Sequence, residues 1–356
     1  MPNLKPGVVY GESYHVLLSN CKENHYALPA VNVVGTNSVN AVLEAAARNR
    51  ADVIIQLSNG GAEFFAGQGF PGRDGARVLG AVSAAQHVDL LARHYGICVV
   101  LHTDHANRKL IPWVEGMIEE GERHHAATGR PLFSSHMLDL SEEPLADNLS
   151  ACAAVLERLQ PLGMSLEIEL GVTGGEEDGV GSDDDITDNP NLYTQPEDVL
   201  EAHRQLSPIG HFSIAASFGN VHGVYKPGNV QLRPEILKNS QALVAERIGS
   251  GPNPLDLVFH GGSGSEKDKI EAAIDYGVFK MNIDTDTQFA FATAVGAYAE
   301  QHAKAFKHQV DPEDGTPYKK LYDPRKWLRL AEQSVVTRLD EAFRDLRAVG
   351  KSLAET

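Results

Sequence analysis

Cysteine is scarce in this chain, and what there is cannot build a scaffold. Cys21, Cys98 and Cys152 are odd in number and far apart, which fits a reducing cytoplasm better than a disulfide framework. No C-x-x-C pair occurs, so a cysteine zinc site of that kind is excluded. If the protein holds a metal, histidine and carboxylate must do it. Long apolar runs are missing too, and none approaches the roughly 20 residues needed to span a bilayer. The opening MPNLKPGVVYGESYH lacks the charged-then-apolar pattern of an export signal, so a cytoplasmic location is expected. Positive charge is short: 31 Lys and Arg against 48 Asp and Glu give a formal charge of −17. Without a basic stripe, nucleic acid and anionic membrane are excluded as partners. Neither internal repeats nor low-complexity linkers divide the 356 residues, so one domain is expected, although a prior of roughly 150 residues per domain would allow two.

What is present is an alternation of short apolar runs with longer helical patterns. Candidate strands are ALPAVNV (27–33), DVIIQL (52–57), ICVVLHT (97–103), PLFSSHM (131–137), SLEIEL (165–170), HFSIAASF (211–218), LDLVFH (255–260) and VFKMNI (278–283). Between them, Thr194 stands three residues before Glu197 at capping-box spacing, and Ser265 reads as a helix cap with Gly277 as the stop. Eight strand–helix alternations without hairpin turns imply parallel strands, and eight is the number that closes a (β/α)8 TIM barrel. A doubly wound open sheet is the alternative, since counting strands does not show closure. Near the C-terminus, about 326–349, Leu328, Ala331, Val335, Leu339, Phe343 and Leu346 recur at three- and four-residue intervals. That spacing predicts an extra amphipathic helix packed on the barrel.

In a barrel, polar residues at strand C-termini gather at one mouth. The third candidate strand ends in Asp104-His105 and the fifth in Glu167 and Glu169, while the sixth runs into GNVHG with His222. The seventh runs into His260, Gly261, Gly262 and Ser263, and the eighth into Asn282, Ile283, Asp284 and Thr285. One histidine among 15 is ordinarily a surface or core residue. Three histidines just past three separate strands are harder to dismiss, because they can converge on one cation and leave a fourth position for substrate. His124, His125 and His302 lie in helical, charged surroundings and are set aside. HGGSGS brings backbone N–H groups to a barrel's usual phosphate position, with a simple helix-capping loop as the plainer reading. Lys226 in GVYKPGN supplies the local positive charge that a −17 chain needs to hold a phosphate. The acidic, glycine-rich loop 171–189 should be mobile. Its Asp183, Asp184 and Asp185 read as a solvated tip, but Glu176-Glu177, hinged by Gly174-Gly175, could close over a substrate and move a proton beside a carbonyl.

The segments PAVNVVGTNS, QLSNGGA, LHTDHA, ATGRPLFSSHMLDLS, LEIELGVTGGEEDG, YTQPEDV, SFGNVHGVYKPGNV, FHGGSGS, KMNIDTDTQ and YDPRKWLR follow one another in order. Through them the chain resembles the class II, zinc-dependent fructose-bisphosphate aldolases of the longer bacterial and fungal subgroup, from about residue 10 to about 347. The resemblance implies His105, His222 and His260 as zinc ligands, with Asp104 as acid/base for the aldehyde half. It implies Glu177 as the base for dihydroxyacetone phosphate, and Asp139 and Glu169 as ligands of a second metal. Gly223, Gly261 to Ser263 and Asn282 to Thr285 would hold the ketone phosphate, and Asn32 and Ser58 would contact the aldehyde half or the reacting carbons. Arg325 would reach the other phosphate from a partner subunit, which implies a homodimer. A monovalent cation, K+ or Na+, is implied near Gly223 and Gly261. The main departures are surface insertions such as SDDDITD and Ala106, where some relatives carry cysteine.

The implied reaction is reversible cleavage of fructose 1,6-bisphosphate to dihydroxyacetone phosphate and glyceraldehyde 3-phosphate, a step of glycolysis and gluconeogenesis. Zinc would serve as its electron sink. Lys280 is the lysine to consider for a Schiff base instead, and three histidines make that unnecessary. Alternatives are a sister aldolase acting on tagatose or sedoheptulose bisphosphate, a zinc hydrolase on the same barrel, and a non-catalytic metal- or sugar-phosphate-binding protein. Asp104 and His105 are adjacent, so both can face one cation only if the backbone leaves strand geometry there. His102, two residues back, should share the face of Asp104 as a supporting residue.

Overall fold

Among the described residues the chain forms eleven strands, in chain order β1 (Gly7–Val8), β2 (Leu28–Asn32), β3 (Val53–Leu57), β4 (Cys98–Thr103), β5 (Ser135–Leu138), β6 (Ser165–Leu170), β7 (Gly175–Glu177), β8 (Val180–Ser182), β9 (Phe212–Ala216), β10 (Leu257–Phe259) and β11 (Val278–Ile283). The structure is a computed structural model that describes residues 3–173, 175–177, 180–182, 193–221, 232–262 and 264–355. Hydrogen bonding runs β4-β3-β2-β11-β10-β9-β6-β5, and a further β4–β5 pairing closes the ring. Every pair in that ring is parallel. The result is a TIM barrel rather than an open sheet.

Alternation along each strand explains the interior. In SLEIEL, Leu166, Ile168 and Leu170 share one face, and Ser165, Glu167 and Glu169 the other. In VFKMNI, Lys280 and Asn282 fall on one face in the same way, and all six residues are buried. Apolar faces meet the helices, while the axis receives polar groups that hydrogen-bond one another. Helices follow the strands in the expected order, from Thr36–Asn49 after β2 to Thr285–Gln301 after β11. Packed on these two is Pro324–Asp345, which buries Ala331, Val335, Leu339 and Phe343. The added C-terminal helix is therefore present, with Leu346 buried at its end and Leu328 half-buried.

Closure is uneven. β4 pairs with β1 at its N-terminal end, Gly7 opposite Cys98 and Val8 opposite Val99. β5 joins β4 at one register position, His102 opposite Ser135. Side chains supplement this seam. Ser134 Oγ accepts from Leu101 N–H at 2.9 Å and donates to the Val9 carbonyl at 2.6 Å, and Thr103 Oγ1 bonds His136 Nδ1 at 2.8 Å.

Three sequence expectations change. The capping oxygen expected of Thr194 is used elsewhere: Oγ1 donates to the Leu170 carbonyl and accepts from Ser217 N–H, tying the ends of β6 and β9, and the helix Pro196–Leu206 is capped at Gln195. Ser265 is one residue early, since the helix Lys267–Asp275 has Glu266 at its cap. Within the loop 171–189, β7 and β8 pair as an antiparallel hairpin, where the sequence shows no periodicity.

Candidate active site

β4 ends at Thr103, and the two residues after it leave strand geometry. Asp104, His105 and His260 consequently offer ligand atoms within 4.8 Å of one another, and so do His105, Asp139 and Glu169. His105 belongs to both groups. Its Nδ1 lies 3.2 Å from Asp139 Oδ2 and 3.6 Å from Glu169 Oε2. His260 Nδ1 lies 3.7 Å from the same Glu169 oxygen, and the two imidazole rings meet edge to face at 4.6 Å between centroids. Four strand ends, those of β4, β5, β6 and β10, thus contribute to one spot at the C-terminal mouth.

The electrostatics suit a cation. Glu169 Oε2 is buried and accepts no hydrogen bond among the described residues, while Oε1 accepts from Thr173 Oγ1 at 2.7 Å. Burial, and then the neighbouring carboxylate of Asp139, push Glu169 well above the usual carboxylate range. A divalent ion would satisfy that oxygen and reverse the shift. Burial works against ionised Asp139 as well, but the His105 ring and two bonds from Ser141 outweigh it and hold the group low. Burial chiefly lowers His260, keeping the imidazole neutral, as metal ligation requires. These residues fit a metal ion.

Asp104 sits in a cage of amides. Asn32 Nδ2 and Gln56 Nε2 each donate to its Oδ2 at 2.9 Å, and Asn282 Nδ2 donates to Oδ1 at 3.3 Å. Gln56 also donates to Asn32 Oδ1 at 2.6 Å. The sequence reading places Asn32, Asp104 and Asn282 but misses Gln56, whose only signal is its inward register beside Asn32 and His102 on adjacent strands. His102 bonds Ser135 Oγ at 2.7 Å through Nδ1, with Nε2 3.5 Å from Glu167.

Other predicted residues have varied placements. Ser58 caps the helix Asn59–Ala66, accepting from Gly61 N–H at 3.1 Å. Gly261 takes a left-handed φ of 61°, and a Cβ there would collide with the Val221 backbone, so this close approach of the loops after β9 and β10 requires glycine. A Cβ on Gly262 would meet the Met281 side chain. Ile283 ends β11, Asp284 is the N-cap of the following helix and Thr285 its first residue, which directs N–H groups toward the mouth. Arg325 does not join this cluster. Its side chain is 89% exposed and pairs with Asp323 at 2.7 Å. Glu177 ends β7, whereas His222, Gly223, Lys226 and Ser263 lie outside the described residues.

Comparison with known proteins gives the family. Residues 12–351 match the family described as fructose-bisphosphate aldolase class-II. The chain is 53% identical to the fructose-bisphosphate aldolase class 2 of Escherichia coli K12, over 97% of each chain. It is 55% identical to a fructose-bisphosphate aldolase of Campylobacter jejuni, over 98% of each. A crystal structure of that organism's fructose-bisphosphate aldolase superposes with a TM-score of 0.89 at 52% identity, covering 99% of this chain and 100% of the other. The chain belongs to the class II fructose-bisphosphate aldolases, a family of metal-dependent lyases.

Proposed function

We propose that this single catalytic barrel reversibly cleaves fructose 1,6-bisphosphate to dihydroxyacetone phosphate and glyceraldehyde 3-phosphate, in glycolysis and gluconeogenesis. The observation that carries this reading is the convergence of His105, His260, Asp139 and Glu169 beside the caged carboxylate of Asp104. His105 and His260, with His222, would hold zinc, and Asp139 and Glu169 would serve a second divalent position. When bound, the metal supplies Lewis-acid polarisation of the substrate carbonyl. In the cleavage direction Asp104 takes the proton of the C4 hydroxyl, and its amide cage aims it. Glu177 returns a proton to the ketone half. Asn282, Ile283, Asp284, Thr285, Gly223 and the loop Gly261 to Ser263, with Lys226 nearby, bind that half's phosphate, while Asn32 and Ser58 meet the aldehyde half. The close approach of Val221 and Gly261 supports a K+ or Na+ ion held by carbonyls near Gly223 and Gly261.

We further infer a homodimer in which Arg325 serves the partner's site. Its exposure and its pairing with Asp323 away from the ligand cluster support this, as do exposed apolar residues after neighbouring strands. Val34, Phe64 and Phe289 are 46%, 54% and 73% exposed and follow β2, β3 and β11, three adjacent strands of the ring. A cytoplasmic location is supported by three free, buried cysteines. Among the described residues, no helix is long and apolar enough to cross a membrane.

The deciding experiment measures cleavage of fructose and tagatose bisphosphates side by side, with and without chelator. Chelation is expected to abolish cleavage and zinc to restore it, with fructose bisphosphate preferred. Borohydride trapping of substrate on a lysine would refute the metal account, and faster turnover of tagatose bisphosphate would reassign the substrate.

A further inference from the structure

Beneath the ligand cluster lies a buried ion pair that the chemistry above does not use. Lys280 is 1% exposed, and its Nζ lies 2.8 and 2.7 Å from the two oxygens of Glu167. An ammonium engaged in this way is no free nucleophile. Glu167 Oε1 is also 2.8 Å from His260 Nε2, and Oε2 is 3.5 Å from His102 Nε2. The last torsion of a glutamate is broad, so it needs outside contacts to select one rotation, and an ammonium touching both oxygens does so. An ionised carboxylate only accepts hydrogen bonds. The Nε2 atom facing it must therefore carry the proton, leaving the lone pair of His260 on Nδ1. That atom points to the cluster, 3.7 Å from Glu169 Oε2.

We propose that Lys280 is a positioning residue for the metal centre: by clamping Glu167 it fixes the ring orientation and tautomer of His260, so that Nδ1 binds the ion. The inference rests on the reading of His260 as a metal ligand. Partners that orient ligands in this way typically contribute 10- to 100-fold to metal affinity.

Zinc affinity by chelator competition and the visible spectrum of Co2+-loaded protein test this on wild type, Lys280→Met and the double variant Glu167→Gln/Lys280→Met. The double variant leaves no lone buried charge, so its metal-free form is expected to unfold cooperatively like wild type. Both variants are expected to bind zinc about 10- to 100-fold more weakly and to alter the Co2+ bands as the ring loses its fixed orientation. Wild-type affinity and spectrum in the double variant would overturn the proposal. Loss of its cooperative unfolding would also overturn it, because Lys280 would then serve the core rather than the metal. If wild type itself bound neither ion, the metal reading would fail and this inference with it.

Discussion

Asp104 shows how much of a residue's role is set by what its neighbours can donate. Three amides, from Asn32, Gln56 and Asn282, fill its oxygens, and an asparagine in its place would keep the shape and lose the basicity. Asp104→Asn is expected to lower kcat by about 100- to 10,000-fold while the zinc affinity changes little; steady-state kinetics and chelator competition check both. His136 supplies a pH dependence. Burial pushes it down to about 3, and its Nε2 has no hydrogen-bond partner among the described residues. The unfolded chain takes up a proton near the ordinary 6.5 that the folded protein refuses until about pH 3. Stability present above the ordinary value is therefore lost as pH falls through this window, approaching about 1.4 kcal/mol per pH unit for this one group. Buried His102 and His260 are lowered in the same sense. Urea midpoints are expected to fall from pH 7 to pH 5, with a shallower slope in His136→Gln. Motif order makes His105, His260 and Asp104 legible in sequence. Gln56 and Lys280 are not, because their work depends on which strands become neighbours.

Elements were legible to the extent that they carried periodicity. The alternation in SLEIEL and VFKMNI marks β6 and β11, and heptad-like spacing marks the C-terminal helix. Caps were not legible: Thr194 has the residue type and spacing of a cap, yet its hydroxyl is taken by a contact between β6 and β9 that local sequence does not encode. The β7–β8 hairpin has too few residues for a pattern. The C-terminal tail offers a prediction at this scale. Asp52 accepts from Cys98 N–H at 2.9 Å, Ser352 Oγ at 2.7 Å and Leu353 N–H at 2.8 Å. One carboxylate thereby ties the tail to the start of β4. Asp52→Ala strands two backbone donors, at about 1–3 kcal/mol each. Denaturant melts are expected to show that loss, and amide exchange to show earlier fraying of residues 352–354.

At the scale of the whole molecule, eight strands can be counted from sequence but closure cannot, since it depends on β4 meeting β5. Assembly is likewise a property of surfaces. Arg325→Ala is expected to raise KM for the bisphosphate by about tenfold or more, as loss of a charge-assisted contact of about 1.5–3 kcal/mol allows. Sedimentation and thermal unfolding should stay unchanged. Mixed dimers pairing Arg325→Ala with Asp104→Asn are expected to recover one working site, which a site built within one chain would not do.

The uneven seam has a mechanical meaning. β4 carries Asp104 and His105 and meets β5 at a single register position, and Asp139 stands just past β5. His105 and Asp139 face each other across this seam, where the Asp139 N–H donates to the Ala106 carbonyl at 2.9 Å. A metal centre that draws ligands from both sides would act as a rivet, and stretching the gap would loosen its hold. Loading the ion and shutting the ring are then one equilibrium viewed from two ends: an ion that binds only the closed ring adds its binding free energy to closure by mass action.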